Sequence, residues 1–104
     1  MAHKASKLVI ITEKLILEKV TRLIEASGGK GYTVVAAGGK GSRGVRSTGQ
    51  AAVVDEFSNV KIEVITANWE TANRIAEKVA ENFFRNYSGI TYFEEVKILR
   101  PEKF

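Results

Sequence analysis

Four apolar residues stand in unbroken succession at Leu8-Val9-Ile10-Ile11, inside the strand-length, β-branched run Lys7–Thr12. Neighbouring side chains on a strand point to opposite faces, so such a run is buried on both. A chain that contains it must place something against each side of its sheet. Val34-Val35-Ala36-Ala37 and Val64-Ile65 impose the same demand on two further strand candidates, predicted over Gly31–Ala37 and Asn59–Thr66.

Two amphipathic stripes supply one cover. Ile16, Val20, Leu23, Ile24 and Ser27 share a face of a helix predicted to start at Glu13, with Thr12 as its cap and Gly28-Gly29 as its stop. From Trp69 onward, Ala72, Ile75, Ala76, Val79, Ala80, Phe83 and Tyr87 recur at helical spacing, with Asn68 as cap and Glu70 in the first turn. Ser88-Gly89 breaks this helix, Ile90–Leu99 returns as a strand, and Pro101 ends regular structure. The order β-α-β-β-α-β predicts an α+β, ferredoxin-like fold with an antiparallel sheet and both helices on one face. The other face needs a cover that the chain does not supply, so a second copy is expected there and the protein is expected to be a homo-oligomer. The 104 residues make one domain, with residues 1–6 expected as a flexible tail.

A long connection between the second and third strands carries the chemistry. Gly38-Gly39-Lys40-Gly41-Ser42-Arg43-Gly44-Val45-Arg46-Ser47-Thr48-Gly49 combines pliable backbone, hydroxyls and three cations. No carboxylate intervenes before Asp55 and Glu56, so this segment holds +3 of a net charge of only +4. Glycine lets successive N–H groups turn toward an oxyanion, and guanidinium groups meet phosphate through paired hydrogen bonds. The segment therefore reads as an anion site. Charge concentrated in one loop suits a small, highly charged ligand better than a broad nucleic-acid face.

Several chemistries are excluded or disfavoured. There is no cysteine and a single histidine, His3, so disulfides, thiol nucleophiles and common zinc spacings are absent. Gly39-Lys40-Gly41-Ser42-Arg43-Gly44 fits G-x-G-x-x-G, but no helix follows, so a dinucleotide fingerprint is not expected. Walker A fails because Gly41 stands where Ser or Thr is required and Val34 where the first glycine belongs. An RNA-recognition domain shares the element order but stacks bases on aromatics of its central strands, and Lys7–Thr12 and Asn59–Thr66 contain none. Ser42, Ser47 and Thr48 lack a histidine partner, and no catalytic constellation is assigned. No apolar run approaches the roughly 18 residues of a membrane span, and Leu8–Ile11 is too short for a signal-peptide core. A cytoplasmic protein is expected.

In its β-α-β-β-α-β order and its long connection after the second strand, the chain resembles the PII superfamily of trimeric signalling proteins, whose T-loop follows the second strand. Lys7–Lys14, Lys30–Val34, Gly38–Ser47 and Tyr87–Ile90 resemble the SbtB-type PII-like proteins of cyanobacteria. The resemblance implies a homotrimer with a T-loop-like segment over residues 40–58. It implies binding of adenine nucleotides (cyclic AMP, AMP, ADP, ATP) in clefts between subunits. It also implies regulation of the membrane bicarbonate transporter SbtA in inorganic-carbon uptake, with reversible membrane association through that partner. By position, Thr33 and the strand backbone from Glu63 to Ile65 would border adenosine. Gly39, Lys40, Gly41, Ser42, Arg43 and Arg46 would hold phosphate, and Gly89 would belong to a second nucleotide loop. The reading is non-enzymatic: no metal, no permanently bound cofactor and no nucleic-acid partner are expected. The alternatives are a small RNA-binding domain and a weak nucleotide phosphohydrolase. The absence of cysteine argues against redox control, and the absence of tyrosine between Lys40 and Glu56 excludes uridylylation there.

Overall fold

Leu8, Val9 and Ile10 are wholly inaccessible to solvent, as the two-faced apolar run requires. In the computed structural model, which describes residues 1–38 and 58–103, they lie in β1 (His3–Glu13). β1 is flanked by β3 (Asn59–Thr66) and β4 (Gly89–Ile98), both antiparallel to it, and β2 (Thr33–Ala37) adds outside β3. The resulting order β2-β3-β1-β4 is that of the ferredoxin-like fold. Two helices, α1 (Leu17–Ala26) and α2 (Trp69–Phe83), cover one face. Leu8, Ile10, Val60, Ile62 and Val64 meet Ile16, Val20, Ile24, Ala72, Ile75 and Val79 there, all at or below 3% exposure. Burying each such side chain stabilises the fold by about 1.5–3 kcal/mol.

The limits of β3 are those the alternation predicts, and Asn68 caps α2 as expected, its Oδ1 accepting from the Thr71 N–H at 2.9 Å. Tyr87 falls beyond the end of α2 yet still packs against the core. At the end of α1, Gly28 has φ 104°, a left-handed conformation in which glycine avoids the penalty of a Cβ.

Three expectations are corrected. Residues 3–6 are not a flexible tail: His3, Lys4, Ala5 and Ser6 pair with Ile98, Lys97, Val96 and Glu95, and Ala5 is 4% exposed. β4 is long enough to pair with this polar stretch, whose composition alone carries no strand signal. Thr12 does not cap a helix at Glu13, because β1 continues through Glu13 and a single 3₁₀ turn, Lys14–Ile16, intervenes before α1. The Thr12 hydroxyl instead donates to the Ser88 carbonyl at 2.7 Å. β2 begins at Thr33 rather than Gly31.

Among the described residues, no element covers the sheet face away from the helices. Val9 is buried there between its cross-strand neighbours Glu63 and Tyr92, while Val35, Ile90 and Tyr92 remain 50%, 58% and 37% exposed. Removing the helix cap by Asn68→Ala should cost about 1 kcal/mol, read as a lower urea midpoint at fixed protein concentration, whereas Asn68→Asp should retain most of it.

Candidate functional site

The register of the sheet places the predicted site residues. Directly opposed residues on neighbouring strands share a face. Thr33 opposes Glu63, Glu63 opposes Val9, and Val9 opposes Tyr92, giving one row across the whole sheet. Ile62 and Val64 point into the core, so Glu63 and Ile65 project from the uncovered face. Thr33, Glu63 and Ile65 are therefore brought together on the β2–β3 side of that face.

Their surroundings are charged but balanced. A Glu63 carboxylate oxygen lies 3.5 Å from Lys7 Nζ and 3.6 Å from Lys61 Nζ, and Lys7 Nζ is 3.4 Å from Glu94. Desolvation of Lys7 disfavours its charge, but the Glu94 hydrogen bond and the Glu63 and Glu94 charges outweigh it, so the ammonium titrates above its ordinary 10.5. The Glu63 side chain is thus held in ion pairs. The neighbouring backbone is more open to a ligand. β2 pairing stops at Thr33 opposite Glu63, whereas Val64, Ile65 and Thr66 continue to pair with β1 on their other side. Among the described residues no strand covers the β2 side of 64–66, which leaves peptide groups able to meet the edge of a heteroaromatic base.

Gly89 lies elsewhere. It opens β4 opposite Thr12, on the sheet edge away from β2. Three strand spacings separate the two edges, roughly 14 Å. One chain does not bring Gly89 to Thr33. Gly89 does share an end of the sheet with the roots of the glycine segment, since Ala37, Asn59 and Glu13 form one row and Gly89 sits beside it. Backbone and side chain tie that end together: the Lys14 N–H donates to the Ser58 carbonyl at 2.8 Å, and Glu13 accepts from the Ser88 N–H at 2.8 Å. Gly39, Lys40, Gly41, Ser42, Arg43 and Arg46 lie outside the described residues.

Two features escaped the sequence reading. Thr12 and Glu13 both bind Ser88; the only hint is a polar pair directly after an apolar strand run. Gly89 is also a packing position, because a Cβ built there would run into the Phe84 ring. A groove of about 390 Å³ between the start of α1 and β2, lined by Lys14, Leu17, Thr21, Tyr32 and Val34, contains none of the predicted site residues. Among the described residues no three His, Asp or Glu side chains cluster as a metal site would require, and no helix is long and apolar enough to cross a membrane.

Comparison with known proteins agrees with this architecture. The family model for the nitrogen regulatory protein P-II matches residues 5–103, and the chain belongs to that family. Among solved structures, a PII-like signalling protein from Thermus thermophilus is similar over 99% of this chain and 97% of its own, at 33% identity and a TM-score of 0.79. CPII from Thiomonas intermedia, bound to ADP and bicarbonate, is similar over 100% of this chain and 97% of its own, at 30% identity and a TM-score of 0.80. The same protein bound to ADP, AMP and acetate is 28% identical over equal spans, with a TM-score of 0.79. The chain is thus a PII-like signalling protein. Members of this family are typically homotrimers and generally non-enzymatic.

Gly89→Ala should displace Phe84 and lower stability by about 1–3 kcal/mol, with part of the loss recovered in a Gly89→Ala, Phe84→Leu double variant followed by thermal denaturation. The raised Lys7 value has a definite sign. The stability it links is fully present below 10.5 and is lost as pH rises through the folded-state value. The stability deficit of Lys7→Met against wild type, from denaturation at a series of pH values, should therefore be constant across neutral pH and shrink in that alkaline range.

Proposed function

We propose that this protein senses adenine nucleotides in clefts between the subunits of a homotrimer and signals their identity to the bicarbonate transporter SbtA, controlling inorganic-carbon uptake. The observation that carries the reading is the division of the candidate site. Thr33, Glu63 and Ile65 lie toward one side of the sheet and Gly89 on the opposite edge, so a ligand touching both sets must be shared between chains. The exposed Val35, Ile90 and Tyr92 on the uncovered face support assembly. Chemically, the free peptide edge at 64–66 would take the adenine ring. Gly89, with Gly39, Lys40, Gly41, Ser42, Arg43 and Arg46, would take phosphate, for which the cations and glycines of the segment are suited.

The bound states of CPII, with ADP, AMP and bicarbonate, support the ligand class and the link to inorganic carbon. Extending the ligands to ATP and cyclic AMP, and the partner to SbtA, rests on the motifs shared with the SbtB-type proteins. Signalling then requires that different nucleotides favour different states of the segment over 40–58, because a ligand bound equally in all states shifts nothing. In this reading the protein is cytoplasmic and meets the membrane only through the transporter. An RNA-binding role is less well supported, since Lys7, Lys61, Glu63 and Glu94 occupy the face where stacking aromatics would be needed.

Calorimetric titration with cyclic AMP, AMP, ADP and ATP, with GTP as control, should show adenine-selective binding, and light scattering at micromolar concentration should give a trimer mass. Arg46→Ala should weaken nucleotide binding about ten- to hundred-fold, the loss of one charge-assisted contact worth roughly 1.5–3 kcal/mol. A monomeric mass, or no binding to any adenine nucleotide, would refute the reading.

A further inference from the structure

The junction between β1 and α1 grips one residue from the far end of the chain by both of its backbone polar groups. Thr12 Oγ1 donates to the Ser88 carbonyl at 2.7 Å, and the Glu13 carboxylate accepts from the Ser88 N–H at 2.8 Å. Both gripping side chains are buried, at 2% and 6% exposure, and Glu13 is the one buried carboxylate among the described residues. Withdrawing a carboxylate from water is costly unless hydrogen bonds compensate. Its hydrogen bond to Ser88 supplies such compensation and, in return, orients the peptide group between Tyr87 and Ser88, while Thr12 orients the next one. That second peptide is trans. With its carbonyl turned to Thr12, its N–H, which belongs to Gly89, points to the other side of β4, where the sheet ends. The grip therefore presets a backbone donor on an open edge, at the sheet end from which the glycine segment springs.

We propose that Glu13, assisted by Thr12, is a positioning residue of the nucleotide site: it sets Ser88 so that the Gly89 N–H is already aimed when phosphate arrives. The inference rests on the nucleotide reading above and adds to it a residue that does not itself touch the ligand. Its physical basis is preorganisation. The turn between α2 and β4 is ordered during folding rather than at the moment of binding, so the ligand does not bear that ordering cost. The role is geometric, which makes a sharp demand. A glutamine at position 13 keeps an acceptor oxygen in the same place and should serve nearly as well, whereas alanine should not.

The test uses the intact protein and the variants Glu13→Gln, Glu13→Ala and Thr12→Val. Two quantities are read: the exchange rate of the Ser88 amide in nucleotide-free protein by NMR, and the affinity for ADP by calorimetry. Glu13→Ala should speed Ser88 exchange and weaken ADP binding by about tenfold or more, while Glu13→Gln should stay within about threefold of wild type in both. Thr12→Val should fall between them. Should Glu13→Ala not assemble, Glu13→Gln and Thr12→Val still decide the matter, the first by retaining affinity and the second by losing it. Faster Ser88 exchange with unchanged ADP affinity would overturn the positioning role, as would a Gln variant as weak as Ala. Failure of wild-type protein to bind any adenine nucleotide would overturn the nucleotide reading and this proposal together, and is distinguished because it is seen before any variant is made.

Discussion

Because Leu8 and Ile10 face the helices while Val9 is equally inaccessible on the other side, β1 can exist only as an interior strand with a partner along each backbone edge. The rest of the topology follows from satisfying both edges. β3 and β4 reach β1 from opposite sides, each after its own excursion through a helix or a long connection, and β2 can then join only outside β3. The helices sit on the face of Leu8 and Ile10 since that is where the stripes of α1 and α2 find apolar partners. The opposite face is closed over Val9 by the cross-strand residues Glu63 and Tyr92, with Lys7 ion-paired beside them. Such part-exposed pairs add little stability individually; their larger effect is to keep that face polar at its centre and apolar at Val35 and Ile90, near its edges.

This arrangement separates recognition from construction. Among the described residues, the peptide groups at 64–66 have no strand on their β2 side because β2 is five residues long and β3 eight, while β1 pairs with them on the other. Gly89 is at the opposite edge because β4 is the last strand added to β1. A site that used both would be a property of neighbouring chains, in keeping with a family of proteins that are typically trimeric.

The elements most legible in the sequence were those specified by local pattern. Alternation over Asn59–Thr66 marked β3 to the residue, and Asn68 is read as a cap because its bond to Thr71 is made three positions away. The start of β1 was not legible, since His3-Lys4-Ala5-Ser6 becomes strand only by pairing with residues at the far end of the chain. Thr12 and Glu13 were misassigned for a related reason: a threonine before a glutamate looks like a helix start, and only the distant Ser88 reveals that both side chains are otherwise engaged. At the site, charge and glycine content pointed to an anion, but nothing in Lys40, Arg43 or Arg46 distinguishes adenine from another base. The expectation of adenine rests on the family resemblance alone; CPII, a structural neighbour, is bound to ADP and AMP.

The Phe84 ring over Gly89 bears on how history can be read from this fold. Selection would retain glycine at that position in any descendant that keeps the aromatic, whether or not a ligand ever reaches the turn. Invariance there would therefore record steric exclusion first, and only the joint fate of positions 84 and 89 in lineages that lost the ring could separate ancestry of the fold from ancestry of the signal.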